Sequence, residues 1–110
     1  MQAGKRKKLE RAGWTVGDAG DFLGLTVEER RFVDVKLALA DGLRQRREQL
    51  GLTQAQAAQR CGSSQSRVAK MEAADRSVST DLLLTSLFAL GASTRDIAKL
   101  LTPRAKTHAA

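Results

Sequence analysis

The sequence is nearly devoid of cysteine and histidine, with Cys61 and His108 as the only ones among 110 residues. A single cysteine excludes an intramolecular disulfide, and the two together fall short of the ligands of a structural zinc site. No apolar run approaches the ~20 residues that a membrane-spanning helix needs, and the charged N-terminus lacks the apolar stretch of a secretory signal. We therefore expect no metal, no cofactor and no membrane association, in a reducing, cytoplasmic setting.

The same scarcity argues against an enzyme. The one histidine lies near the C-terminus, so no Ser-His-acid set is credible. The sequence also has no glycine-rich phosphate loop after a strand and no carboxylate pair beside a shaped apolar site. We expect a binding protein rather than a catalyst.

Proline and aromatic residues are also rare. Pro103 is the only proline, tyrosine is absent, and the aromatic residues are Trp14, Phe22, Phe32 and Phe88. A core must therefore be built from leucine, valine and alanine. Such a composition is typical of packed helices rather than of a sandwich or barrel, so the expected fold class is all-α.

The net charge of +7 is unevenly distributed along the chain. Residues 1–13 carry a net +4 and residues 14–34 a net −3, so 1–34 forms a basic arm followed by an acidic extension. Residues 35–101 carry a net +4 and form the expected domain, and 102–110 is a basic tail expected to be disordered. A basic domain with a basic arm suits a polyanionic partner.

Helix start and stop signals divide the chain. Short helices are plausible over Lys5–Ala12 and Gly17–Leu23 in the extension. Capping-box patterns at Thr26 and Thr53 predict two later helix starts, since each is followed three residues on by glutamate or glutamine, and the run Ser93–Asp96 predicts the start of a last helix. Further helices are expected from Ser63 or Ser64 to about Ala74, and from Ser79 or Thr80 to Leu90. The helix opened by Ser93 is expected to end near Leu101.

The first of these helices has a recurring apolar pattern. Residues at helical spacing predict one buried stripe: Phe32, Val35, Leu39, Leu43 and Leu50. Gly42 interrupts the pattern, so one long helix to Leu50 and two helices broken near Gly42 fit equally well.

The segment from Thr53 to Glu72 carries the main functional signal. Two helices that meet steeply at a tight turn need a small residue at their crossing, which Ala58 supplies, and a turn residue that tolerates positive φ, which Gly62 supplies. Val68 and Met71 lie three apart and share the inward face of the second helix. The pattern predicts a helix-turn-helix.

The outer face of the second helix is polar and free of acids until Glu72. It carries Ser64, Gln65, Ser66, Arg67 and Lys70. Glutamine and arginine each make two hydrogen bonds to a base edge, and the N-terminal end of a recognition helix enters the major groove of double-stranded DNA. The alternative is an ordinary surface helix, although such helices usually mix charges of both signs.

Residues 43–91 resemble the Cro/repressor (Xre-type, lambda-repressor-like) helix-turn-helix family, whose pattern covers nearly half of the chain. The matching residues are Leu43–Arg47, Leu50–Gln54, Ala58, Gly62, Ser64–Ser66, Val68, Met71, Glu72 and Ala89–Gly91. The resemblance implies a compact five-helix domain that binds operator DNA, usually as a two-fold dimer.

The resemblance also implies roles for individual residues. Gln54 would hydrogen-bond a phosphate, and Arg47 would form a structural ion pair with Glu72. The polar residues of the second helix would face the groove, with Arg67 close to bases or backbone. Two positions depart from the family: Ala74 and its neighbours stand where a glycine is usual, and Ala57 stands where a larger aliphatic is common.

Three features outside this pattern have two interpretations each. The basic run 5–8 is either an arm along DNA or a solvated charge run. Trp14 and Phe22 either pack on the domain or bind a partner. Cys61 is either a core thiol, which its position before the turn favours, or a redox switch.

The functional hypothesis is a bacterial or phage-encoded, nucleoid-associated transcriptional regulator, a repressor that binds a palindromic operator as a homodimer. The alternative is a HigA-type antitoxin, which binds a toxin protein and also its own operator. The acidic stretch 14–34 favours the alternative, because many toxins bind RNA and are basic.

Overall fold

The computed structural model describes residues 25–102, which fold into helices joined by short turns. The five helices are α1 Val27–Gln49, α2 Gln54–Cys61, α3 Gln65–Glu72, α4 Thr80–Ala89 and α5 Thr94–Leu101. The expected all-α, five-helix fold is confirmed. The helices expected over Lys5–Ala12 and Gly17–Leu23 and the disorder expected beyond 102 lie outside the described residues.

Each helix begins after a side chain that caps it. The hydroxyl of the N-cap residue accepts the backbone N–H three residues on at Thr26, Thr53, Ser64, Ser79 and Ser93. At Thr26, Thr53 and Ser93 the reciprocal bond is also present and completes a capping box. The two capping boxes read from the sequence, at Thr26 and Thr53, are confirmed, and Ser93 opens α5 as expected. Each N-cap stabilises its helix by about 1 kcal/mol.

Helix α1 is continuous, so of the two interpretations left open by the sequence the single long helix is right. Gly42 has a role in helix packing instead. A Cβ atom at Gly42 would collide with the side chain of Leu100, so glycine lets α5 pack closely against α1. The helix also runs unbroken through the expected boundary between residues 34 and 35.

The buried face of α1 differs in part from the predicted stripe. Leu39 and Leu43 are buried as expected, but Phe32 is 49% exposed and Leu50 38% exposed. The neighbouring position Val33 is buried instead. A one-residue step rotates a side chain by about 100° around a helix, so the buried stripe continues through Val33 and leaves Phe32 outside.

The core lies between α1 and the four shorter helices. Its fully buried large side chains are Leu39, Leu43, Val68, Met71, Leu83 and Leu87. Aliphatic residues and methionine dominate the core, as the scarcity of aromatic residues required. None of the helices between residues 25 and 102 has the length and apolar character to cross a membrane.

Candidate nucleic-acid interface

Helices α2 and α3 meet at a tight turn that Gly62 makes possible. Gly62 adopts φ 65° and ψ 38°, the left-handed region that glycine enters without steric cost. The Ser63 N–H donates to the carbonyl of Ala58 at 2.8 Å and closes the turn. Ala57 and Ala58 are buried on α2, and the small size of Ala58 at the crossing agrees with its expected role. This arrangement is a helix-turn-helix.

The inner face of α3 fixes the helix in the fold. Val68 is 1% exposed and Met71 is fully buried. The Ser86 hydroxyl of α4 lies 3.3 Å from the Met71 sulfur. Since one face is held in the core, the opposite face has a defined direction.

The opposite face of α3 carries the predicted DNA-contacting residues. All of them are exposed: Ser64, Gln65, Ser66, Arg67 and Lys70. Ser64 has a further duty, because its hydroxyl accepts the Arg67 N–H at 3.1 Å and lies 3.2 Å from the Ser66 hydroxyl. All five residues are therefore accessible to solvent at the start and along the exposed side of α3.

A bidentate ion pair joins α1 to α3. Arg47 Nε donates to Glu72 Oε2 at 2.5 Å, and Arg47 Nη2 donates to Glu72 Oε1 at 3.0 Å. Arg47 Nη1 also donates to the carbonyl of Leu52 at 3.0 Å, in the turn before α2. The hydrogen bonds to Glu72 raise the pKa of Arg47, so the guanidinium stays charged. One arginine thus connects α1, the α1–α2 turn and α3.

Gln54 contributes a third bond to the same carboxylate. Its Nε2 donates to Glu72 Oε1 at 3.1 Å, which ties the first residue of α2 to the last residue of α3. A side-chain amide has two N–H groups and one carbonyl oxygen. Gln54 therefore retains hydrogen-bonding capacity beyond this bond. The family resemblance implied a phosphate contact for Gln54 and did not indicate its bond to Glu72.

Helix α3 ends two residues before the expected Ala74, in a turn of the kind that usually contains glycine. The Asp75 N–H donates to the carbonyl of Lys70 at 2.9 Å and the Ala74 N–H to that of Met71 at 3.1 Å, which is the Schellman pattern. Ala74 takes φ 55°, the one positive φ at a non-glycine residue among positions 25–102. Alanine therefore takes the left-handed position at which the resemblance led us to expect glycine.

Asp75 follows this turn and lies near several cations. Its carboxylate accepts the Ser77 backbone N–H at 2.9 Å and the Ser77 hydroxyl at 2.7 Å. These bonds lower the pKa of Asp75, with smaller contributions from Lys70 and Lys36. The two lysines therefore partly offset the negative charge of the Asp75 carboxylate.

Lys36 is the residue near the interface that the sequence analysis missed. It lies on the buried side of α1, only 4% exposed, and burial lowers its pKa while Asp75 acts in the opposite direction. The spacing of Lys36 from Val33 and Ala40 was the sequence signal that could have predicted its place on the buried side of α1. Its interaction with Asp75 links α1 to the loop after α3.

Cys61, the last residue of α2, is partly buried, and its thiol donates to the carbonyl of Ser86 at 3.8 Å. Burial raises the pKa of this thiol, which keeps it protonated and poorly reactive. These features agree with the core-thiol interpretation.

Comparison with known families agrees with the geometry. The helix-turn-helix domain family matches residues 38–100, which is more than half of the chain, and the protein belongs to that family. The resemblance to Xre-type domains is consistent with this match. No curated protein and no solved structure shows a significant match to the chain.

Proposed function

We propose that this helix-turn-helix protein is a transcriptional repressor that recognises a palindromic operator as a homodimer in the cytoplasm, in association with the nucleoid. The observation that carries the proposal is the asymmetry of α3. On one face Val68 and Met71 are buried in the core and the Glu72 carboxylate binds Arg47. The other face exposes amide, hydroxyl and cationic groups and no acid.

Base recognition is assigned to Gln65 and Arg67. Both are exposed in the first turn of α3, the end of a recognition helix that enters the major groove. Glutamine pairs with adenine and arginine with guanine, each through two hydrogen bonds. Ser66 adds a weaker contact in this proposal.

Phosphate contacts position the protein on the duplex. We assign them to Gln54, Ser64 and Lys70, which lie at the start of α2, the start of α3 and the last turn of α3. The bond between Gln54 and Glu72 fixes the start of α2 relative to α3, so phosphate and base contacts are made in a constant register.

A dimer follows from the length of the recognition helix. An α3 of 8 residues contacts only a few base pairs. Two copies related by a two-fold axis read half-sites about 34 Å apart, one turn of the duplex. Phe88 and Leu101 are 44% and 43% exposed on α4 and α5 and are the apolar candidates for the contact between copies.

The test is a binding titration with the DNA upstream of the protein's own gene and a scrambled duplex of equal length and composition. We expect tighter binding to the upstream DNA and a footprint with two-fold symmetry. Arg67→Gln should reduce this preference, whereas Arg95→Gln, the same charge change at an exposed residue of α5, should retain it. Equal affinity of the unmodified protein for both duplexes would exclude operator recognition.

A second candidate function, an antitoxin, is favoured by the start of α1. Val27 is 55% exposed and Phe32 49% exposed, with the exposed acids Glu28 and Glu29 and the exposed cations Arg30 and Arg31 between them. Exposed apolar side chains of this kind suit a protein partner. Co-expression with the neighbouring open reading frame tests this candidate. If the chain is an antitoxin, the neighbouring protein should arrest growth when expressed alone, and co-expression of this chain should restore growth. The Phe32→Glu variant should fail to restore it.

A further inference from the structure

A cavity of about 170 Å³ opens between α1, α4 and α5. It is lined by Gly42, Gln45, Arg46, Gln49, Leu87, Ala92, Asp96, Lys99 and Leu100. No residue of α2 or α3 contributes to this lining, so the cavity is separate from the DNA-binding surface proposed above.

The floor of the cavity is apolar. Leu87 is 1% exposed and Ala92 is 9% exposed, and the side chain of Leu100 packs against the backbone of Gly42. These groups have no hydrogen-bonding side-chain atoms. A ligand that covers the floor must therefore present an aliphatic or aromatic body.

The rim of the cavity is polar and carries more positive than negative charge. Arg46 is held in place, because its Nε donates to the carbonyl of Leu90 at 2.9 Å, and Lys99 supplies a second cation. The one acid, Asp96, accepts the Ser93 N–H at 2.8 Å in the capping box of α5. Two cations against one acid give the rim a net charge of +1.

We propose that this cavity binds a small aliphatic carboxylate. The planar guanidinium of Arg46 matches the geometry of a carboxylate, and its position is fixed before a ligand arrives. Lys99 attracts the same group, while the hydrocarbon body covers Leu87 and Leu100. The amide side chains of Gln45 and Gln49 complete the rim.

Three probes separate the contributions of charge and apolar body. Isocaproate carries both, isocaproamide has the same shape without charge, and acetate has the charge without the body. Each is titrated into the full-length protein while the backbone amide signals are followed by two-dimensional NMR. We expect isocaproate to shift the signals of Gly42, Ala92 and Leu100 in a saturable way, with isocaproamide and acetate binding at least five-fold more weakly.

Variants at the rim complete the test. Lys99→Gln should weaken isocaproate binding about two- to five-fold, the range of an exposed ion pair. Arg95→Gln, on the same helix but outside the cavity lining, should leave binding unchanged. The proposal is overturned if isocaproamide binds as well as isocaproate, if the two variants respond alike, or if these signals move with protein concentration instead of ligand, which would make the cavity a contact between copies.

Discussion

Arg47 and Glu72 form a two-pronged ion pair whose side chains are only 15% and 6% exposed, at the junction of three elements of the fold. Breaking a buried pair by removing one partner leaves an uncompensated charge and costs about 3–5 kcal/mol. We therefore predict that Glu72→Ala lowers the free energy of unfolding by about 3 kcal/mol, as measured by urea denaturation. Glu48→Ala, which removes an exposed acid from α1, is the matched control and should change it by less than about 1 kcal/mol.

A double-mutant cycle separates the pair from its surroundings. Arg47→Met with Glu72→Leu removes both charges and retains apolar bulk, so the double variant should be more stable than the sum of the two single losses implies. Strict additivity of the two losses would show that the bond between these residues contributes nothing to stability.

Base recognition by α3 predicts different behaviour for two kinds of residue. Gln65→Ala and Arg67→Ala should each weaken binding to the operator by about 1–3 kcal/mol. Gln65→Ala should scarcely affect binding to random DNA, and Arg67→Ala should weaken it less than it weakens operator binding, because it removes one positive charge. The measurement is fluorescence anisotropy with both duplexes at a fixed salt concentration. Equal losses on both duplexes would contradict base readout.

Lys70 is expected to contact phosphate, and its removal should act on all sequences alike. Lys70→Ala should lower the affinity for operator and random DNA by similar factors and reduce the slope of log K against log salt by about 1. Titrations between low and moderate salt measure that slope. Lys99→Ala, on α5, serves as the control with the same charge change, and an identical decrease in slope for both variants would refute a specific role for Lys70.

Ala74 is held at a positive φ with its methyl group buried, so two effects oppose each other. Glycine would relieve about 1 kcal/mol of backbone strain but lose about 0.8 kcal/mol of methyl burial. We expect Ala74→Gly to change the free energy of unfolding by less than about 1 kcal/mol. Ala74→Val should cost more than about 2 kcal/mol, because a β-branched residue at positive φ is strained and the site is full. The exposed neighbour Ala73, in right-handed helical conformation, should tolerate valine at a cost below about 1 kcal/mol.

The bonds from Ser77 predict a pH effect at Asp75. Its pKa lies below the ordinary value of about 3.9, so the bonded carboxylate stabilises the fold above that pH and loses this contribution as the pH falls through the folded pKa. In Ser77→Ala the hydroxyl bond is lost, and the titration midpoint of Asp75 should move upward in carboxyl-detected NMR. An unchanged midpoint would mean that the hydroxyl bond does not set the pKa.

Much of the fold could be read from local patterns. Capping boxes are set by residues three apart, so the starts of α1, α2 and α5 followed from short stretches of sequence. The role of Gly42 in helix packing could not be predicted in this way, since the close approach of Leu100 involves a helix more than 50 residues away in the sequence. The prediction that Phe32 is buried was wrong for a similar reason. Its helical spacing fits the stripe, but the helices that pack against α1 cover Val33 instead.

The proposed DNA-binding surface shows the same division. The polar groups of α3 and the tight turn at Gly62 could be predicted from the sequence, because turn chemistry and helix periodicity act over a few neighbouring residues. Three relationships became visible only in the folded chain: Gln54 bonds to Glu72, Lys36 lies near Asp75, and Arg46 and Lys99 border one cavity. Those pairs are distant in the chain, and packing of the core, which no short segment encodes, brings them together.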